Sequence, residues 1–253
     1  LKILSETDYQ IIPRGGGMSY TGGYTPSTKR SVIVDTSLLN QILEINPEDM
    51  YITVEAGCTW KSIYQALKPM GMRLPFFGTN SGSMATVGGG LSNGALFFGT
   101  GKYGSAADNV LGMEVIIADG TLIKTGQNAF ANSKPHHRTY GPDMTGLFCH
   151  DAGSLGIKVQ ATFPLIFWPK SIDYLSFAYK TLEDSVAALS SVSKSGLTEE
   201  CYVLDPNSAG NLADVSNIEG AKSVIKVFRE QSSFIKGIKE SFKMAFTGRS
   251  VIP

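Results

Sequence analysis

Up to about residue 168 the apolar positions come in short runs broken by turn residues, and beyond it longer runs with helical spacing take over. Residues 31–35 read as a short buried strand, and 41–45 and 50–55 as strands. The last two are joined by Asn46-Pro47-Glu48-Asp49, a turn of breakers and Asx residues. Thr59 is placed as the N-cap of a helix whose Trp60, Ile63, Tyr64 and Leu67 share one face, with Pro69 and Gly71 ending it. Residues 114–118 and 121–125 are two β runs around Asp119-Gly120, which predicts a two-residue hairpin. Ile157, Val159, Ala161, Phe163 and Leu165 alternate, the pattern of a half-buried strand. After Trp168-Pro169-Lys170 the pattern predicts a strand over 172–179, a helix over 182–194 closed by Gly196, a strand over 201–204 and a long helix over 221–246. A domain boundary is expected near residue 170, dividing 1–169 from 170–253.

Composition narrows the classes. The 28 glycines are uneven: 23 precede residue 157, so unusual backbone or close main-chain approach belongs to the first part. Apolar content of 42% with 17% charge is too apolar for disorder, and no run of 18 apolar residues offers a membrane span. Lys+Arg and Asp+Glu are both 22, and no basic stripe supports nucleic-acid binding. Cys58, Cys149 and Cys201 are scattered and make neither a disulfide framework nor a metal spacing; no metal is expected. Leu1 and Val251-Ile252-Pro253 read as cut ends, and a cytoplasmic or peripheral-membrane location is favoured.

Two glycine clusters carry the candidate chemistry. In Arg14-Gly15-Gly16-Gly17-Met18-Ser19, successive residues without Cβ let amides converge on an anion, although a flexible surface turn uses the same residues. The second cluster lies in a long loop expected over 75–105. It includes Gly82, Ser83, Thr86, Val87, Gly88, Gly89, Ser92 and Asn93, and no Lys or Arg. It can solvate a diphosphate through amides and hydroxyls, or simply permit close strand approach. Gly99-Thr100-Gly101-Lys102-Tyr103-Gly104 matches G-x-G-x-x-G, but only Ser105 to Met113 separates it from the next strand, too little for the helix a nicotinamide-dinucleotide fold needs. His136, His137 and His150 favour loop and packing roles, and Tyr103 and Tyr140 either packing or contact with a flavin.

The order of these segments resembles the flavoproteins with a PCMH-type FAD-binding domain, the vanillyl-alcohol oxidase/p-cresol methylhydroxylase family or FAD-linked oxidases. Pro13–Ser19 is similar to its P-R-G-G-G-T-S loop and Val54–Trp60 to its V-E-A-G-V-x-W stretch. Thr86–Gly89 is similar to S-I-G-G, Gly141–Phe148 to G-P-D-L-T-G-L-F, and Gly153–Ile157 to G-T-L-G-I. The resemblance implies an α+β fold: an FAD-binding domain of two α+β subdomains, then part of an α+β cap that covers the flavin and selects the substrate. It implies that Arg14–Ser19 hold the pyrophosphate, that residues 82–94 run along the cofactor, and that Gly156 and Ile157 lie near the adenine. Tyr103-Gly104 belongs to the same pattern.

Departures refine it. Some branches bond FAD to a histidine where this chain has Met18, so non-covalent FAD is expected at that loop. The phenol-oxidising branch has an acid where Ser105 stands. The pattern is most similar to the D-lactate dehydrogenase/glycolate oxidase branch. It implies oxidation of a 2-hydroxy acid or related alcohol, by hydride transfer to the flavin, with oxygen, a quinone or a cytochrome as acceptor. An aryl-alcohol or sugar oxidase is the alternative, and a non-catalytic nucleotide- or anion-binding module is the alternative of another class. No catalytic residue is assigned.

Overall fold

Tyr51, Thr53 and Glu55 alternate with Ile52 and Val54, so a strand here has one polar and one apolar face. The computed structural model describes residues 2–139 and 141–205. In it, β4 (Tyr51–Glu55) lies inside a five-stranded antiparallel sheet of order β3-β4-β8-β6-β7, with β3 Ile42–Asn46, β6 Gly112–Ile116, β7 Leu122–Lys124 and β8 Ile157–Pro164. The apolar face carries Ile52, Val54, Met113, Val115, Ala161 and Phe163 into one buried cluster. Across it lies α2 (Trp60–Leu67), with Trp60, Ile63 and Leu67 buried. Thr59 is its N-cap, its hydroxyl accepting the Ser62 amide at 3.1 Å. Tyr64 is only half-buried and meets Trp168 edge-on.

Smaller elements flank the sheet. α1 (Lys2–Ser5) leads to β1 (Gln10–Arg14), which pairs in parallel with β2 (Ser31–Asp35); β5 (Met72–Arg73) pairs with β9 (Ile166–Phe167). α4 (Thr100–Tyr103), α5 (Ala106–Asn109) and α6 (Met144–Leu147) are single turns. A Ser105–Asp108 capping box starts α5. α7 (Leu182–Lys194) starts at its cap Thr181 and is followed by Gly196 at φ +67°.

Four expectations change. The 75–105 loop contains a helix, α3 (Val87–Asn93), despite its three glycines. A Cβ on Gly88 would lie 2.9 Å from Ala56 Cβ, and one on Gly90 2.7 Å from the Trp60 ring. Close packing on residues 56–60 thus outweighs poor helix propensity. The β6–β7 connection is five residues, 117–121, and leaves three between the bonded Ile117 and Thr121 where two were expected. Gly120 donates to Ile117, Ile117 to Thr121, and Gly120 sits at φ +83°. β8 is not half-buried: as the central strand it also buries Lys158 and Thr162. Residues 172–179 and 201–204 form no strand, because an apolar run needs a neighbouring strand to take its backbone groups. The chain divides into two units, Leu1–Cys201 and Tyr202–Pro253. The helix expected over 221–246 lies outside the described residues, as does Tyr140.

Candidate functional site

β1 ends at Arg14, and the chain turns sharply through Gly15, Gly16 and Gly17, the last at φ +66°. Here the two glycine clusters meet. A Cβ on Gly15 would stand 2.2 Å from Thr86 Oγ1, and one on Gly16 1.9 Å from the Met84 carbonyl. Only glycine allows that approach. The Gly16 amide donates to Thr86 Oγ1 at 3.4 Å, and the Ser19 hydroxyl to Asn93 Oδ1 at 3.2 Å. Asn93 in turn donates to the Gly89 carbonyl. Arg14 lies 3.9 Å from Asp35, whose carboxyl is held below its usual range by hydrogen bonds from Ser37.

The donors are unequally free. The amides of Val87 and Gly88 are taken by the carbonyls of Cys58 and Ala56, and that of Gly82 by Thr79. Among the described residues, the amides of Gly15, Gly17, Met18 and Ser19 meet no acceptor. Ser83 is exposed, and Ser92 is buried in α3. Amides without acceptors on a loop that includes Arg14 and no carboxylate suit a diphosphate, so the residues present fit FAD. The side chain of Met18 is partly exposed on this loop.

A third segment, 150–157, joins them; sequence reasoning gave His150 a loop or packing role and placed Gly156 and Ile157 at the cofactor. The His150 and Ala152 amides donate to the Leu91 and Ser92 carbonyls, each at 2.9 Å. A Cβ on Gly153 would meet Pro13 at 2.7 Å, and one on Gly94 would meet the His150 ring. Beneath this turn Asp151 and Lys158 form an ion pair with both side chains 2% exposed. Burial lowers the Lys158 pKa and Asp151 works against that shift. The available signal was an acid and a lysine seven residues apart in an otherwise apolar stretch. Gly156 and Ile157 sit at the start of β8; Gly156 packs so tightly on β6 that a Cβ would lie 2.5 Å from Val115.

Tyr103 and Gly104 lie at a different cluster. Arg73, 2% exposed, pairs with Glu199 and faces the rings of Phe77, Tyr103 and Trp168. Its Nε has no partner. The Tyr103 hydroxyl is 3.4 Å from Glu199. Gly101 of the G-x-G-x-x-G run packs on protein: a Cβ there would press on the Glu199 carbonyl at 3.1 Å. Elsewhere, a groove of about 570 Å³ on the sheet's polar face, lined in part by Tyr51, Thr53 and Lys134, contains no predicted site residue. Among the described residues no cluster of His, Cys, Asp and Glu could hold a metal, and no helix could cross a membrane.

The FAD binding domain family matches residues 1–126. The chain is 29% identical over 199 residues to D-lactate dehydrogenase [cytochrome] 1, mitochondrial, of Saccharomyces cerevisiae, covering 78% of this chain and 32% of that protein. It is 31% identical over 194 residues to glycolate oxidase subunit GlcD of Bacillus subtilis, covering 76% and 39%. The solved structure of p-cresol methylhydroxylase with substrate bound superposes with a TM-score of 0.59 at 27% identity, over 67% of this chain and 33% of that one. The chain thus spans about a third of the length of such proteins. The ordered glycine motifs, the fold they build and these matches together identify an FAD-binding domain of the PCMH type over residues 1–126 of this chain.

Proposed function

We propose that this chain is the FAD-binding part, with the beginning of a substrate-selecting cap from about residue 170, of an oxidoreductase acting on 2-hydroxy acids of the D-lactate or glycolate type. The observation that carries the reading is the closure of the Arg14–Ser19 loop onto Thr86 and Asn93, which leaves the amides of Gly15, Gly17, Met18 and Ser19 without acceptors. When bound, FAD supplies the hydride acceptor.

Gly15, Gly17, Met18 and Ser19 hold the pyrophosphate through their free amides, with the Arg14 side chain beside them and Gly16 closing the loop onto Thr86. Gly82, Ser83, Thr86, Gly89, Ser92 and Asn93 line the rest of the cofactor, while Val87 and Gly88 shape that wall through their backbone. Tyr103 and Gly104 border the flavin, and Gly156 and Ile157 the adenine. Met18 has no ring nitrogen to bond the flavin, so the cofactor is held non-covalently at this loop. The names of the D-lactate dehydrogenase and glycolate oxidase relatives support the substrate class.

An aryl-alcohol substrate is the second reading, favoured by the likeness to p-cresol methylhydroxylase. Against it, Ser105 is a helix cap bonded to Asp108 and offers no acid to a phenol. The test is anaerobic mixing of the FAD-loaded full protein with D-lactate, glycolate and an aryl alcohol. Hydroxy acids should bleach the flavin. Bleaching by the aryl alcohol alone would reverse the assignment. Reoxidation by oxygen, a quinone or cytochrome c then identifies the acceptor.

A further inference from the structure

The turn after α6 is strained. His150 and Ala152 hold φ of +56° and +51°, and Gly153 holds +80°. Side-chain-bearing residues rarely adopt that region unless their surroundings enforce it. Asp151 does the enforcing. Its carboxylate accepts the Gly153 amide at 2.9 Å and the Leu155 amide at 3.3 Å, and Lys158 of β8 fixes it from below. Its carbonyl accepts the Ser154 amide and hydroxyl.

The turn reaches both glycine loops. Through His150 and Ala152 it is bonded to the last residues of α3, and Gly153 packs on Pro13, one residue before Arg14. Both charges of the pair are withdrawn from water, and such burial gives little net stability. A pair that contributes little stability yet ties a strained turn to the central strand fits a role in geometry.

We infer that the buried Asp151–Lys158 pair is a positioning device: it anchors the His150–Ser154 turn to β8, and the turn sets the spacing of the two glycine loops for the cofactor. This rests on the FAD reading above. The device acts through the loops and is not itself a contact to the flavin.

The test compares the full-length wild type with Asp151→Glu, Lys158→Met and the double variant Asp151→Asn/Lys158→Met. FAD binding is followed by fluorescence quenching, and hydrogen exchange is followed at residues 13–19. Asp151→Glu keeps both charges but shifts the carboxylate relative to the turn amides. It should weaken FAD binding about tenfold or more, the scale seen when supporting groups behind a binding site are changed. Lys158→Met should weaken it at least as much. The double variant keeps an acceptor for Gly153 and leaves no unpaired charge, yet it loses the anchor to β8, so it should still bind FAD about tenfold or more weaker than wild type. Exchange at residues 13–19 should quicken in Asp151→Glu. Wild-type FAD affinity in both Asp151→Glu and Lys158→Met would overturn the inference. If the wild type takes no FAD, the cofactor reading fails by itself. Unchanged exchange at residues 13–19 in Asp151→Glu would still refute the positioning role.

Discussion

Around residues 13–19, 82–94 and 150–157 the chain is held by the close approach of glycine backbone to neighbouring segments. Beyond Trp168 it shows large exposed apolar side chains, among them Tyr174, Leu175 and Phe177. In the first region three segments far apart in sequence converge, and glycines mark the contacts: Gly15 on Thr86, Gly16 on Met84, Gly153 on Pro13. In the second, Glu199 on Arg73 is the main buried polar anchor among the described residues. Shape in the first region is set by what a Cβ would strike; attachment in the second leans on the neighbouring acids Glu199, on Arg73, and Glu200, on the Thr100 and Gly101 amides. The two should therefore fail in different ways.

The largest effect is expected from Glu199→Ala. It leaves the Arg73 guanidinium buried with its Nε already unpartnered. Removing one member of a buried pair costs about 3 kcal/mol, read as a lower urea midpoint. A midpoint equal to wild type would mean that the second region does not rest on this anchor. Next comes Gly16→Ala. Its methyl would be driven into the Met84 carbonyl, and overpacking of this kind costs about 2 kcal/mol. FAD binding should be lost along with it. The matched control, Gly196→Ala, meets nothing within 4 Å and costs only the left-handed backbone, about 1 kcal/mol, with FAD binding unchanged. If both glycine changes act alike on FAD, close approach is not what builds the site.

The smallest effect separates the regions by chemistry. Burial pushes the Cys58 thiol up to about 11, and Cys149 is raised for the same reason. At pH 8 only about one Cys58 in a thousand is then a thiolate, the reactive form. Iodoacetamide mapping should find Cys201 labelled well before Cys58. Equal labelling would show that the Cys58 environment opens readily.

The two regions also differ in how far they could be read in advance. Thr59 and the Trp60, Ile63, Leu67 spacing specify α2 locally, and Ser31–Asp35 forms a strand as expected, but a half-exposed one where its apolar run predicts burial, because β2 has β1 alone for a partner. The glycine loops were legible as motifs, because their order along the chain survives folding. Their closure through Thr86 and Asn93 was not, because it joins residues about seventy positions apart. α3 was hidden for the same reason: its glycines serve contacts with Ala56 and Trp60, not helix propensity. Arg73, Asp151 and Lys158 were missed because a charge inside an apolar run gains meaning only from its partner. The strand expected over 172–179 fails in the opposite direction, since its pattern is apolar but no described strand lies beside it.

The account stands on the two glycine loops forming one non-covalent FAD site. The full-length protein, stripped of flavin, is titrated with FAD and then precipitated with acid. One FAD per chain should bind with quenched fluorescence, and all of it should appear in the acid supernatant. A protein that takes up no FAD, or flavin that stays in the precipitate, would contradict it.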